Sequence, residues 1–246
     1  MGKVRWQGHA KSRIPDKAYV YDRLGTAYAA IGKAEQAIAY YQKALEANPR
    51  SPGVLYNLGI AHGNRGDLAA AIVCYKKALD IDPGFARALN NLGNAYIAAG
   101  EFASAIEELT RAVSSNPNFA EAHNNLGNAY IKKGELDKAV AAYERAIDLR
   151  PGFAEAHYNV GIAYRKKKQL DKAIAELERA VAIHPAYAKA HYQLAIAYYY
   201  DKQYRQALLH CNKAIELGVA VGELVADVPA VATDGTVYFG SLDQHF

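Results

Sequence analysis

Three histidines, two cysteines and several files of carboxamides are the residues of this sequence whose types and spacing could do chemistry. His123, His157 and His191 recur at an interval of 34 residues, which raises the question of a metal. Side chains carried on elements stacked roughly 10 Å apart cannot converge on one zinc ion, whose ligands sit about 2 Å away. The three are therefore expected to pack between helices, and no metal site is expected. Cys74 and Cys211 lie about four such intervals apart, roughly 40 Å by the same stacking estimate, too far for a disulfide. Cys211 reads as a core filler. No phosphate-binding glycine loop, nucleophile elbow or catalytic carboxylate pair stands out. The expectation is a non-enzyme with no catalytic residue and no cofactor.

The carboxamides say more. Asn57, Asn91, Asn125 and Asn159 follow one another at the same interval, and Gln193 continues the row. Asn94 and Asn128 form a second row, with Asn90 and Asn124 beside the first. A carboxamide offers donors and an acceptor together, so it can pair with both the N–H and the C=O of a peptide. An extended ligand rising about 3.3 Å per residue would meet a rung roughly every three residues. Such binding holds a backbone and tolerates many side chains. Further along, Arg165, Lys166, Lys167 and Lys168 precede a cluster of Tyr192, Tyr198, Tyr199, Tyr200 and Tyr204. Arg165, Lys166 and Tyr199 would bias a groove toward acidic sequence.

The elements that position these residues are repeats. The strings NNLGNAY at 90–96 and 124–130 are identical, and their offset divides the chain into units 18–51, 52–85, 86–119, 120–153, 154–187 and 188–221 without insertion or deletion. Position eight is Gly25, Gly59, Gly93, Gly127, Gly161 and then Ala195. Position twenty is always alanine, from Ala37 to Ala207, and so is position twenty-seven, from Ala44 to Ala214. Pro49, Pro83, Pro117, Pro151 and Pro185 close five units, with Val219 in the last. Apolar spacing within a unit predicts two helices joined by a turn near position fifteen. Gly32, Gly66, Gly100 and Gly134 suit a left-handed residue there. Lys168 and Lys202 replace them in the last two units and should cost about 1 kcal/mol each if the conformation is kept.

This pattern resembles the tetratricopeptide repeat family, six motifs in register. The tryptophan often found at position four of that family is absent; Tyr21, Leu55, Leu89, His123, His157 and His191 stand there. The resemblance implies an all-α, right-handed superhelical solenoid with the first helix of each pair lining a concave groove. It further implies a scaffold that binds a protein or peptide partner. The asparagine row is similar to the ladder in the repeat domain of O-GlcNAc transferase, although no transferase domain is present. The lysine and arginine clamp of co-chaperones that grip acidic chaperone tails is not reproduced.

Outside the repeats, residues 1–17 carry Lys3, Arg5, Lys11, Arg13 and Lys17 against Asp16 and are expected to form a basic, mobile arm. Residues 222–246 carry four acidic side chains and no basic one, and read as an acidic cap or tail. GELVADVP at 222–229 suits a short capping helix, and Asp234-Gly235 between apolar residues signals a hairpin. The tail could fold back into the groove of the last repeats, or contact another copy in a self-assembling array. The net charge is +4, with an excess of four positive charges in residues 1–17 and another in 154–221, balance in 18–153 and four negative charges in 222–246, so no dominant basic face points to nucleic acid. Apolar runs are too short to cross a membrane, and two cysteines make no disulfide framework, so a cytoplasmic location is expected.

Overall fold

A computed structural model describes residues 16–219 together with residues 230–231 and 237–238. Residues 1–15 of the expected arm and most of the acidic tail, including the helix expected over 222–229, lie outside the described residues; Asp16 and Lys17, expected in the arm, instead cap and open α1. The described chain forms twelve helices: α1 (Lys17–Ala30), α2 (Ala34–Ala47), α3 (Pro52–Asn64), α4 (Leu68–Ile81), α5 (Ala86–Ala99), α6 (Phe102–Ser115), α7 (Ala120–Lys133), α8 (Leu136–Leu149), α9 (Ala154–Lys166), α10 (Leu170–Ile183), α11 (Ala188–Tyr200) and α12 (Tyr204–Glu216). They make two compact units that part within α5, Met1–Ala88 and Leu89–Phe246. In each, consecutive helices pack as neighbours, and first helices also touch one another: α1 meets α3, α7 meets α9, and α9 meets α11. This is an all-α repeat solenoid of helix pairs. Its strands among the described residues are two short ones, β1 (Ala230–Val231) and β2 (Val237–Tyr238), paired antiparallel with Val231 opposite Val237. The hairpin signal itself, Asp234-Gly235, lies outside the described residues.

Each pair is held by one close approach. A methyl group built on Gly127 would lie 2.5 Å from the Tyr143 ring, and one on Gly93 would lie 2.5 Å from the Leu109 side chain. The helices touch because position eight carries no side chain against the large residue at position twenty-four. The last repeat solves the problem in reverse. There Ala195 fills position eight, and Cys211, buried against it, is the small partner. Burial also raises the Cys211 thiol above its usual range, as expected of a packing residue and not of a nucleophile.

The turn inside each pair closes in one way throughout. Gly134 takes φ +83°, its N–H returns to Ile131 O, and Glu135 N–H returns to Tyr130 O. This double return satisfies carbonyls at the helix end. Lys168 and Lys202 adopt the same left-handed region, at φ 59° and 61°. Gln169 N–H and Gln203 N–H make the matching bonds to Tyr164 O and Tyr198 O. The backbone thus keeps its conformation where the sequence departs from glycine. Lys168→Gly and Lys202→Gly are each expected to stabilise the second unit by about 1 kcal/mol, read as a rise in melting temperature. A fall would show that the lysine side chains hold these turns.

Candidate peptide-binding surface

The carboxamide row is built into the contacts between repeats. Asn125 on α7 donates to Asn90 Oδ1 on α5 at 2.8 Å. One repeat later, Asn159 on α9 donates to Asn124 Oδ1 on α7 at 2.9 Å. Asn90 in turn donates to Asn91 at 3.2 Å, and Asn124 donates to Glu155 at 3.2 Å. Position six of one repeat is thereby tied to position five of the repeat before it. Asn90 and Asn124 are buried, so these bonds form where an unpaired amide is costly. The sequence shows them as asparagines flanking the row, but their role as receivers is evident only once the helices are stacked. Each bond spends one N–H of Asn125 or Asn159. A carboxamide has a second N–H and a carbonyl oxygen to offer.

The second row divides by what stands opposite. Tyr143 donates to Asn128 Oδ1 at 2.7 Å, as Tyr41 donates to Thr26 Oγ1 at 3.3 Å at the same positions of the first repeat. In the third repeat position twenty-four is Leu109, which has no hydroxyl. Asn94 is therefore the exposed member of that row. Asn57, Asn91, Asn125, Asn128, Asn159 and Gln193 are half-buried, with Asn57 in the first unit and the others in the second. Gln193 Oε1 and Arg165 Nε are buried without a hydrogen-bond partner.

The basic tract separates into structural and solvent-facing parts. Lys167 is paired with Asp137 of α8, and Lys168 occupies the left-handed turn. Arg165 and Lys166 close the last turn of α9, half-buried and exposed respectively. Cations in that place complement the helix dipole as well as any anionic ligand. Tyr199 is half-buried beside Tyr200 and Tyr204, with ring centroids 5.9 and 5.8 Å away. Tyr198 points elsewhere, donating its hydroxyl to Glu178.

The three histidines each bind the end of the repeat before. His123, His157 and His191 meet the carbonyls of Pro117, Pro151 and Pro185 through Nε2 at 3.1, 3.0 and 3.0 Å. A ring N–H must donate there, which leaves Nδ1 for a second partner. His157 Nδ1 faces Glu176 at 2.6 Å, and that carboxylate holds the His157 pKa above its usual value. His191 Nδ1 faces His210 Nδ1 at 2.9 Å. Burial, and then the neighbouring imidazole, lower the His210 pKa. Among the described residues no group of three or more His, Cys, Asp or Glu could hold a metal ion. No described helix is long and apolar enough to cross a membrane.

A family model described as a tetratricopeptide repeat matches residues 90–152, 127–188 and 161–218, and a second, described as a TPR repeat, matches 25–66 and 64–99. The chain belongs to the tetratricopeptide repeat family. No curated protein matches the sequence. Among solved structures, the TPR chain is similar to the MamA protein at 33% identity, covering 71% of this chain and 95% of that one with a TM-score of 0.62. It is also similar to pilF of Pseudomonas aeruginosa at 20% identity, 85% and 95% coverage and a TM-score of 0.75. YrrB, described as a TPR protein with an unusual peptide-binding site, is 24% identical over 72% of this chain and 92% of its own, with a TM-score of 0.60. The last two show the fold alone. Family membership supports a role in protein–protein interaction.

Proposed function

We propose that this TPR protein is a non-catalytic scaffold that holds an extended, acidic segment of a partner protein along its first helices. The observation that carries the reading is the division of labour among the carboxamides. Asn125 and Asn159 are fixed by one bond each to the preceding repeat, so they present their remaining polar atoms from set positions. Prefixed groups lose little freedom on binding, which favours affinity. Asn94 is exposed where Leu109 replaces the tyrosine, and it adds an unfixed rung. Arg165 and Lys166 supply the charge at the other end of the row, and Tyr199 an aromatic face.

Asn125→Ala would be a poor test, because it strips Asn90 Oδ1 of its donor and disturbs the stack. Asn94→Ala and Lys166→Ala touch exposed side chains and spare the fold. On an array of extended peptides the wild type should select acidic sequences. Asn94→Ala should weaken that binding about fivefold, the worth of one hydrogen bond of about 1 kcal/mol. Lys166→Ala should weaken it by a similar factor that shrinks as salt is raised. If both variants melt as the wild type does and keep full affinity for the selected peptides, or if no peptide is selected, the reading fails.

A further inference from the structure

Gln193 departs from the pattern that fixes its predecessors. Asn125 donates to Asn90 and Asn159 to Asn124, each 35 residues back along the chain. The residue at that distance before Gln193 is Tyr158, a phenol where the other two steps have a carboxamide carbonyl. Gln193 Oε1 is left buried with no hydrogen-bond partner. About two turns further along α9 from Tyr158, on the same face, stands Arg165. Its position twelve is filled by Ala29, Gly63, Ile97, Ile131 and Tyr199 in the other repeats. A charge therefore replaces small or apolar residues there, and Arg165 Nε is likewise buried without a partner. Both helices belong to the second unit and touch one another.

Tyr158 is common to the two orphaned groups. It holds the register position facing Gln193, and it packs with Tyr199 on the cluster of Ile174, Leu177 and Leu194. Burial pushes its hydroxyl pKa up and the Arg165 charge draws it back, so the guanidinium lies near that ring. Buried polar atoms left unpaired cost stability, and native folds hold few of them. Asn125 and Asn159 show that this chain satisfies position six where stacking alone is at stake. Both orphaned side chains are themselves half-buried, and rotation about their terminal torsions turns the orphaned atom outward without breaking a bond. An unpaired donor near an unpaired acceptor suits a ligand that brings one of each.

We propose that Arg165 and Gln193 anchor one glutamate or aspartate of the bound segment, Arg165 donating to its carboxylate and Gln193 Oε1 accepting its backbone N–H. The anchor rests on the peptide-binding reading above, and it assigns the acidic preference to one residue of the partner instead of to overall charge. Arginine suits the task because Nε and Nη donate in a planar fork that matches a carboxylate. Lys166 is exposed and acts through a field that salt screens, whereas a half-buried pair is screened much less.

The test uses two libraries of peptides of about twelve residues, long enough to span roughly four rungs. Both are randomised over uncharged residues, one around a central glutamate and the other around a central glutamine. The immobilised full chain should retain the glutamate library at least about tenfold more strongly, as one charge-assisted hydrogen bond gives, and should do so at high salt. Arg165→Met should remove that preference, and Arg165→Lys should restore little of it, since lysine has no fork. N-methylation of the glutamate should weaken binding to the wild type about fivefold and to Gln193→Met hardly at all. All three variants should melt at or above the wild type, because none breaks a hydrogen bond of the free protein. A lower melting temperature would give these side chains a role in the fold and overturn the anchor. A preference that survives Arg165→Met, or a wild type that retains both libraries equally, would overturn it and leave peptide binding along the asparagine row in place. So would a Gln193→Met variant as sensitive to N-methylation as the wild type. Retention of neither library would overturn the anchor and the peptide-binding reading together.

Discussion

Gly127→Ala is expected to destabilise the second unit by about 3 kcal/mol, the upper range for forcing a methyl group into a close-packed core. The added carbon would fall 2.5 Å from the Tyr143 ring, well inside van der Waals contact. The ring has little room to retreat. Tyr143 is almost fully buried, and its hydroxyl is committed to Asn128 at 2.7 Å. Moving it would break that bond as well as open a void. The last repeat shows which compensation works, since there alanine at position eight is matched by Cys211. Tyr143→Cys added to Gly127→Ala should therefore recover part of the loss, while Tyr143→Cys alone should destabilise by leaving a cavity beside the glycine. Thermal unfolding of the four proteins makes a double-mutant cycle with a favourable coupling. Strict additivity would show that the small-large match is not what sets this helix spacing.

That match was open to reading in the sequence, because both halves of it recur in five repeats at a fixed offset and change together in the sixth. The fold was legible for the same reason: glycine, alanine and proline at constant positions leave few other arrangements of two helices. The left-handed turn could be read through Lys168 and Lys202, although neither residue favours it. The candidate surface was less legible, because a row of asparagines has the same spelling whether it faces a ligand or a neighbouring helix. Asn125 and Asn159 each turn one N–H to the preceding repeat, a contact 35 residues back in the chain. No local pattern marks such a bond. Position four was read as packing, and its histidines do pack, but the proline carbonyls they bind depend on the angle between repeats. Of the four-residue basic tract, only the stacked structure separates Lys167, paired with Asp137, from Lys166, which is exposed.

The histidines also give two adjacent repeats opposite responses to acid. His157 has a raised pKa because Glu176 faces it. A raised value means that the folded state binds its proton more tightly than the unfolded chain, whose histidine titrates near 6.5. The stabilisation is complete below that pH and fades as pH rises through the folded pKa. His210 has a lowered pKa, from burial first and then the adjacent imidazole. Its folded state resists the proton that the unfolded chain accepts, so stability is lost as pH falls below about 6.5. The groups around it are the His191 and Tyr198 rings of α11 and the more distant Glu178 of α10. Between pH 7.5 and pH 5.5, amides of α12 should therefore lose protection while those of α9 and α10 hold or gain it. The two sites occupy the same position of their repeats, so one substitution should exchange their behaviour. His210→Glu places a carboxylate where Glu176 stands in the repeat before, opposite His191 Nδ1. Protection in α12 should then increase toward pH 5.5 and decline toward pH 7.5. Hydrogen exchange at the two pH values, corrected for intrinsic rates, reads the sign directly. An α12 that still loosens in acid after the substitution would place the acid sensitivity outside the imidazole pair.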